Sequence, residues 1–153
     1  DAQESIHLRT FPDAPKAWEN KTLDEKWQKI LSARSVITGA LEIKRAEKMI
    51  GASLEAAPKV YVADTALAQV LKTVNLADIS ITSGMTLAEG GAPAGAFTLA
   101  DAAGIGVIVE KASGEKCARC WKYTQDTGTD TAHPQLCARC TGVVKLELKS
   151  AAA

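Results

Sequence analysis

Apolar residues recur at Leu23, Trp27, Ile30, Leu31, Ile37 and Leu41, the spacing of one helical face, while Lys26, Lys29, Lys44, Glu47 and Lys48 fall largely between them. The pattern predicts one long helix of about seven turns over residues 22–50. Thr22-Leu23-Asp24-Glu25 has the form of a capping box at its start, and Gly51 stands where a left-handed residue would end it. Gly39 interrupts the stripe at a cost of about 1 kcal/mol relative to alanine, which points to close packing or a slight bend there. Ahead of the helix, residues 1–20 have no period and, with Pro12 and Pro15, read as an extended lead-in.

Pro58 opens a second unit. Val60-Tyr61-Val62 has strand composition, and Asp64 is placed to cap a helix whose apolar face is Leu67, Val70, Leu71 and Val74, with Asn75 as its stop. Ile79-Ser80-Ile81-Thr82 alternates and predicts a second strand, residues 84–96 a glycine-rich loop, and Ile105 to Glu110 a third, buried strand. A core drawn from so few residues is marginal alone and needs the long helix, or the cysteine-bearing C-terminal segment, as a second layer. The expected class is α+β, in three units: residues 1–57 (lead-in and long helix), 58–111 (a small sheet-helix unit) and 112–153.

Eighteen basic side chains balance eighteen acidic ones, but unevenly. Residues 51–110 carry two basic and six acidic groups, whereas residues 111–153 carry seven basic and four acidic ones. No apolar run is long enough to span a membrane, and the polar start Asp1-Ala2-Gln3-Glu4 has neither the form of a signal peptide nor an initiator methionine, so a piece of something longer is expected.

The basic third holds all four cysteines, as Cys117-Ala118-Arg119-Cys120 and again as Cys137-Ala138-Arg139-Cys140. Two such turns sixteen residues apart can direct four sulfurs at one ion. Zinc suits four thiolates at about 2.3 Å, and a sphere filled by one kind of ligand leaves no water to activate, so a single structural zinc ribbon or knuckle is expected. Disulfides or iron are the competing readings. His133, four residues before Cys137, is expected at the surface or beside the ligands. Lys116, Arg119, Lys122 and Arg139 have two compatible roles: to offset the net −2 of a divalent ion with four thiolates, or to contact phosphate and base edges. Trp121 can stack on a base or cover the metal's apolar side. Arg34, on the apolar stripe, is expected to pair with a carboxylate at a seam, and Glu42 with Arg45 on the helix surface. There is no glycine-rich phosphate loop in the required context, and His7 and His133 have no nucleophile beside them in sequence, so the chain offers no catalytic site.

Several phrases together resemble the C-terminal end of bacterial isoleucyl-tRNA synthetases. They are Glu4-Ser5-Ile6-His7-Leu8 with Phe11-Pro12; Ala40-Leu41-Glu42 with Arg45; Glu47-Lys48-x-Ile50-Gly51-x-Ser53-Leu54-Glu55-Ala56; Gly114-Glu115-Lys116-Cys117-x-Arg119-Cys120-Trp121; and His133-Pro134-x-Leu136-Cys137-x-Arg139-Cys140. The resemblance implies the end of a helical anticodon-binding domain followed by a zinc-binding domain, with isoleucine tRNA and the remainder of the synthetase as partners. It implies a cytoplasmic, membrane-free protein whose longer parent uses ATP and Mg2+. The parent's ATP-handling signatures, His-Ile-Gly-His and Lys-Met-Ser-Lys-Ser, are absent, so this chain is expected to form no adenylate and to be monomeric. The tail Ser150-Ala151-Ala152-Ala153 carries no reading. Two alternatives share the four-cysteine pattern. One is the zinc finger of a formamidopyrimidine-type DNA glycosylase, whose N-terminal proline nucleophile Asp1 cannot replace. The other is a structural zinc ribbon for protein contacts.

Overall fold

The computed structural model describes residues 5–151, apart from the side chains of residues 148–151; Asp1, Glu4 and the tail residues Ala152 and Ala153 lie outside the described residues. The lead-in runs extended and exposed, with single 3-10 turns at Ile6–Leu8 and Lys16–Trp18. The long helix, α1, spans Lys21–Ala46. Its cap is Asn20, whose side chain accepts from the Leu23 amide at 3.0 Å, so Thr22 lies inside the first turn and the capping box is not formed. Asparagine caps as well as threonine does, and here it stands two residues earlier. The left-handed residue that ends α1 is Lys48 (φ 59°) and not Gly51. Its amide bonds Arg45 O, and the Met49 amide bonds Lys44 O, closing the last carbonyls as such a cap does.

Only the C-terminal two thirds of the stripe is covered. Ile30, Ala33, Val36, Ile37, Ala40 and Leu41 are buried, whereas Leu23, Trp27 and Leu31 are exposed. Gly39 faces the Phe97 ring, where an added Cβ would stand 2.7 Å from a ring carbon. Close packing is therefore what the glycine permits.

After a 3-10 turn at Ser53–Glu55, β1 (Lys59–Val62) forms the centre of a three-stranded sheet. It pairs in parallel with β2 (Thr86–Glu89), Val60 opposite Leu87, and antiparallel with β3 (Ile105–Ile108), Val60 opposite Val107. The crossover from β1 to β2 carries α2 (Thr65–Lys72), capped by Asp64 Oδ1 on the Ala66 amide at 2.8 Å, and the single-turn α3 (Leu76–Ile79). Helix α1 lies over β3, α2 over β1 and β2, and the two helices touch each other. One apolar core joins Ile30 through Leu41 to Val60, Val62, Leu71, Ile105 and Val107.

Two expectations fail in this unit. Residues 79–82 are not a strand: Ile79 closes α3, and Ile81 is left-handed (φ 56°), which no strand allows. Asn75 does not merely stop α2; its side chain caps α3 on the Asp78 amide at 3.2 Å. The second strand is instead β2, at the start of the glycine-rich stretch, where pairing with β1 outweighs weak strand composition.

Arg34 meets no carboxylate among the described residues. Its Nε donates to Ile79 O at 3.0 Å, tying the middle of α1 to the end of α3. Arg45 does pair with Glu42 and also donates to Ser53 Oγ at 2.9 Å, while Glu55 accepts from the Gly51 amide at 2.9 Å. The Glu42, Arg45, Gly51, Ser53 and Glu55 positions of the resemblance thus brace one turn.

Candidate metal centre and nucleic-acid face

Residues 114–141 are built on a short hairpin, β4 (Glu115–Lys116) and β5 (Tyr123–Thr124), and on α4 (Ala138–Ala151), a helix the sequence did not suggest. Gly114 enters the hairpin at φ 94°, with Thr124 O directly where a Cβ would stand. Cys117 follows the first strand, and the Trp121 amide bonds back to Cys117 O at 2.9 Å, closing the first Cys-x-x-Cys turn. Cys137 precedes α4, whose first amide, Ala138, is capped by Asp126 Oδ2 at 3.1 Å. The cap comes from twelve residues upstream, and Asp126 belongs to the site although no sequence pattern marked it. A hydrogen bond from Thr124, with the Ala138 amide, lowers the Asp126 pKa despite partial desolvation.

The four cysteine sulfurs converge: all lie within 4.8 Å of one another, with Cys117, Cys137 and Cys140 buried and Cys120 half-buried. Cys120 Sγ is 3.8 Å from Cys137 Sγ. A tetrahedron with metal–sulfur arms of about 2.3 Å has edges of about 3.8 Å, so the Cys120–Cys137 pair already has the spacing a zinc ion requires. All four cysteines are free, and a disulfide would bring the sulfurs to about 2.05 Å, so the disulfide reading does not describe this cluster.

The electrostatics of the bare cluster favour a cation. Burial pushes the Cys137 thiol up to about 12. Burial also opposes ionisation of Cys117, but the amides of Cys120, Cys137 and Arg119 aimed at its sulfur outweigh this and hold its pKa at about 6. The Cys137 amide is 3.4 Å from that sulfur. A divalent ion bound there would displace the thiol protons. His133 is not among the clustered ligand atoms; its backbone closes a turn with Asp130 and Leu136.

The five basic and aromatic candidates surround this cluster in different ways. Arg119 Nη1 is 3.8 Å from Cys140 Sγ. Hydrogen bonding to Cys120, and then the negative charge of Cys120 and Cys140, holds the Arg139 pKa above its usual value. Lys122 pairs with Asp78 on α3, and the Tyr123 amide donates to Ser83 Oγ at 2.7 Å, so these two residues seat the finger on the sheet unit. Ser83 and Asp78 are further positions no sequence signal revealed. Trp121 is 60% exposed and left-handed (φ 66°), a conformation that costs a bulky residue about 1–2 kcal/mol. Lys116 Nζ stands 5.2 Å from the centre of its ring. Both line an open cleft of about 590 Å³ with Ala118, Thr127, Pro134 and Gln135.

Comparison with known proteins agrees with this geometry in two stages. Residues 114–141 match the family model described as the zinc finger found in FPG and IleRS, which makes the C-terminal unit a zinc finger of that class. The chain as a whole is similar to isoleucine–tRNA ligases. It is 50% identical over 135 residues to that of Brucella abortus, covering 88% of this chain and 14% of the relative. It is 50% identical over 149 residues to that of Mesorhizobium japonicum (95% and 15%), and 46% over 136 residues to that of Agrobacterium fabrum (89% and 14%). By homology along nearly all its length, the chain belongs with a segment of the isoleucine–tRNA ligases, and it spans about one seventh of the length of those relatives. Because these matches run far beyond the finger, the glycosylase reading does not fit.

Proposed function

We propose that this chain is the zinc-bearing, tRNA-binding C-terminal part of an isoleucine–tRNA ligase, an enzyme that joins isoleucine to its tRNA with ATP and Mg2+ bound elsewhere in the longer protein. Cys117, Cys120, Cys137 and Cys140 hold one structural Zn2+, and the finger presents Lys116 and Trp121, flanked by Arg119, Lys122 and Arg139, to the anticodon side of the tRNA. Residues 1–57 end the helical anticodon-binding domain, residues 58–111 form a junction, and residues 112–153 are the finger. The protein works in the cytoplasm, and this segment alone is monomeric. The uncovered run of Phe11, Trp18, Leu23, Trp27 and Leu31 supports a place for the rest of the ligase against the start of α1.

The observation that carries the RNA reading is Trp121. A tight turn after a Cys-x-x-Cys pair would be filled without strain by glycine, yet the position holds a large exposed ring with an ammonium on its face. A ring held so presents a surface for a base to stack on. Binding of this chain to isoleucine tRNA and to a non-cognate tRNA, titrated over salt, tests the proposal. Trp121→Gly fits the backbone and leaves the fold intact, but should lower affinity by about 1–3 kcal/mol. Lys116→Ala should flatten the log–log salt slope by about one. Unchanged binding in both variants, or equal binding of duplex DNA, would count against the reading.

Catalysis lies elsewhere in the proposed enzyme. This chain, which lacks both ATP-handling signatures, should therefore give no isoleucine-dependent exchange of pyrophosphate into ATP, and exchange above the level of a Cys137→Ser control would overturn that assignment.

A further inference from the structure

Three residues other than glycine are left-handed among the described residues: Lys48, Ile81 and Trp121. Lys48 is unbranched at Cβ and exposed, and it ends α1. Ile81 is β-branched, a side-chain type for which this conformation is a genuine outlier, and it is 57% exposed. It sits where α3 ends. The Ile81 amide bonds Asp78 O at 3.2 Å and the Thr82 amide bonds Ala77 O at 2.9 Å, the paired bonds of a helix end whose left-handed position is usually glycine. Thr82, fully buried, fastens the turn by donating its hydroxyl to Gly84 O at 3.0 Å. We propose that Ile81 is a second contact with tRNA, an apolar side chain held out from the sheet unit for a base or ribose, so that the RNA crosses from the finger onto residues 58–111. This rests on the reading of Trp121 as an RNA contact, and goes beyond it by assigning a residue outside the finger.

Packing does not account for the isoleucine. Ile81 belongs to neither apolar cluster, although Ile79 two residues before it packs against the larger one. Glycine or asparagine would form the same helix end without the strain, so the branched side chain is held at a cost to the fold. Its place is the seam with the finger. Ile81 lies between Asp78, which pairs with Lys122, and Ser83, whose Oγ accepts from the Tyr123 amide at 2.7 Å. Trp121, the other left-handed residue with an exposed apolar side chain, directly precedes Lys122. One such residue therefore stands on each side of the same seam. The surroundings favour RNA over protein as the occupant. Arg34 is bonded to Ile79 O and Lys122 to Asp78, so two cations are fixed within three residues of the exposed side chain. The centre of a protein interface is depleted in charge. RNA instead offers phosphates to the cations and a base or ribose face to the aliphatic side chain.

The test titrates isoleucine tRNA against the whole 153-residue chain and records thermal melting of the same samples. Ile81→Gly and Ile81→Asn, which accept the left-handed backbone, should melt no lower than the unsubstituted chain yet bind the tRNA about fivefold more weakly. Because isoleucine carries no charge, the log–log salt slope should stay as it is, in contrast to Lys116→Ala. Ile81→Val, which keeps a branched apolar side chain, should retain most of the affinity. Undiminished tRNA affinity in both Ile81→Gly and Ile81→Asn would overturn the proposal and leave Ile81 to a protein contact. Melting lowered in step with affinity would overturn it too, because the side chain would then be a support of the turn. If the unsubstituted chain binds no tRNA, or Trp121→Gly binds it equally well, the RNA reading fails and this inference with it. Weakened binding in Trp121→Gly but not in the Ile81 variants sinks this inference alone.

Discussion

Replacing Cys137 with serine is expected to unfold residues 112–151 while α1 and the three-stranded sheet persist. The cysteines form a small core of their own with Leu136, separate from the apolar core that joins α1 to β1 and β3. Hairpin β4–β5 has two residue pairs, and α4 leaves Leu146 exposed, so little apolar burial holds the finger together. Zinc contributes about 10–16 kcal/mol to finger peptides of this size, far more than that burial can. Amide dispersion should collapse for the finger alone, and chelation of the metal from the unsubstituted chain should reproduce the effect. A finger that stays dispersed after Cys137→Ser would show that the ion is not its main support.

Gly114→Ala should destabilise the finger by about 2–4 kcal/mol, the second largest effect expected. The position is left-handed, and its Cβ would fall on the backbone carbonyl of Thr124, which no side-chain rotation can relieve. Relief requires the hairpin to part. That displaces Glu115 and Lys116, and with them Cys117, whose amide pairs with Lys122 O. The variant should lose metal to a chelator faster and unfold at lower denaturant, whereas Gly142→Ala, with open space around its Cβ, should do neither. Equal behaviour of the two variants would show that the hairpin does not set the position of Cys117.

The residues that spoke most clearly in the sequence are those whose partners are close in the chain or identical in chemistry. The stripe from Ile30 to Leu41 announced α1 because burial repeats with the helix period, and the doubled Cys-x-x-Cys turn announced the cluster because sulfur has few other uses at that spacing. What stayed hidden depends on distant partners. Helix α4 begins at Ala138 with its cap supplied by Asp126, so no capping residue stands before it and Gly142 lies inside it. Strand β2 owes its form to β1, and Ile79-Ser80-Ile81-Thr82 imitates a strand while making a turn. Nor could the stripe tell that Leu23 and Trp27 lie bare, because periodicity marks a face and not what covers it.

Helix α3 has a consequence of its own. One helical turn cannot nucleate alone in water, and Leu76–Ile79 stands because Leu76 is buried in the main core and both neighbours hold the turn: Arg34 of α1 on the Ile79 carbonyl, Lys122 of the finger on Asp78. Its persistence is thus conditional on two parts of the chain that share no apolar core. Local opening of such a segment becomes easier when either clasp is released. Hydrogen exchange at the Ile79 and Ser80 amides, which bond Asn75 O and Leu76 O, consequently reads out the registration of the finger against the long helix.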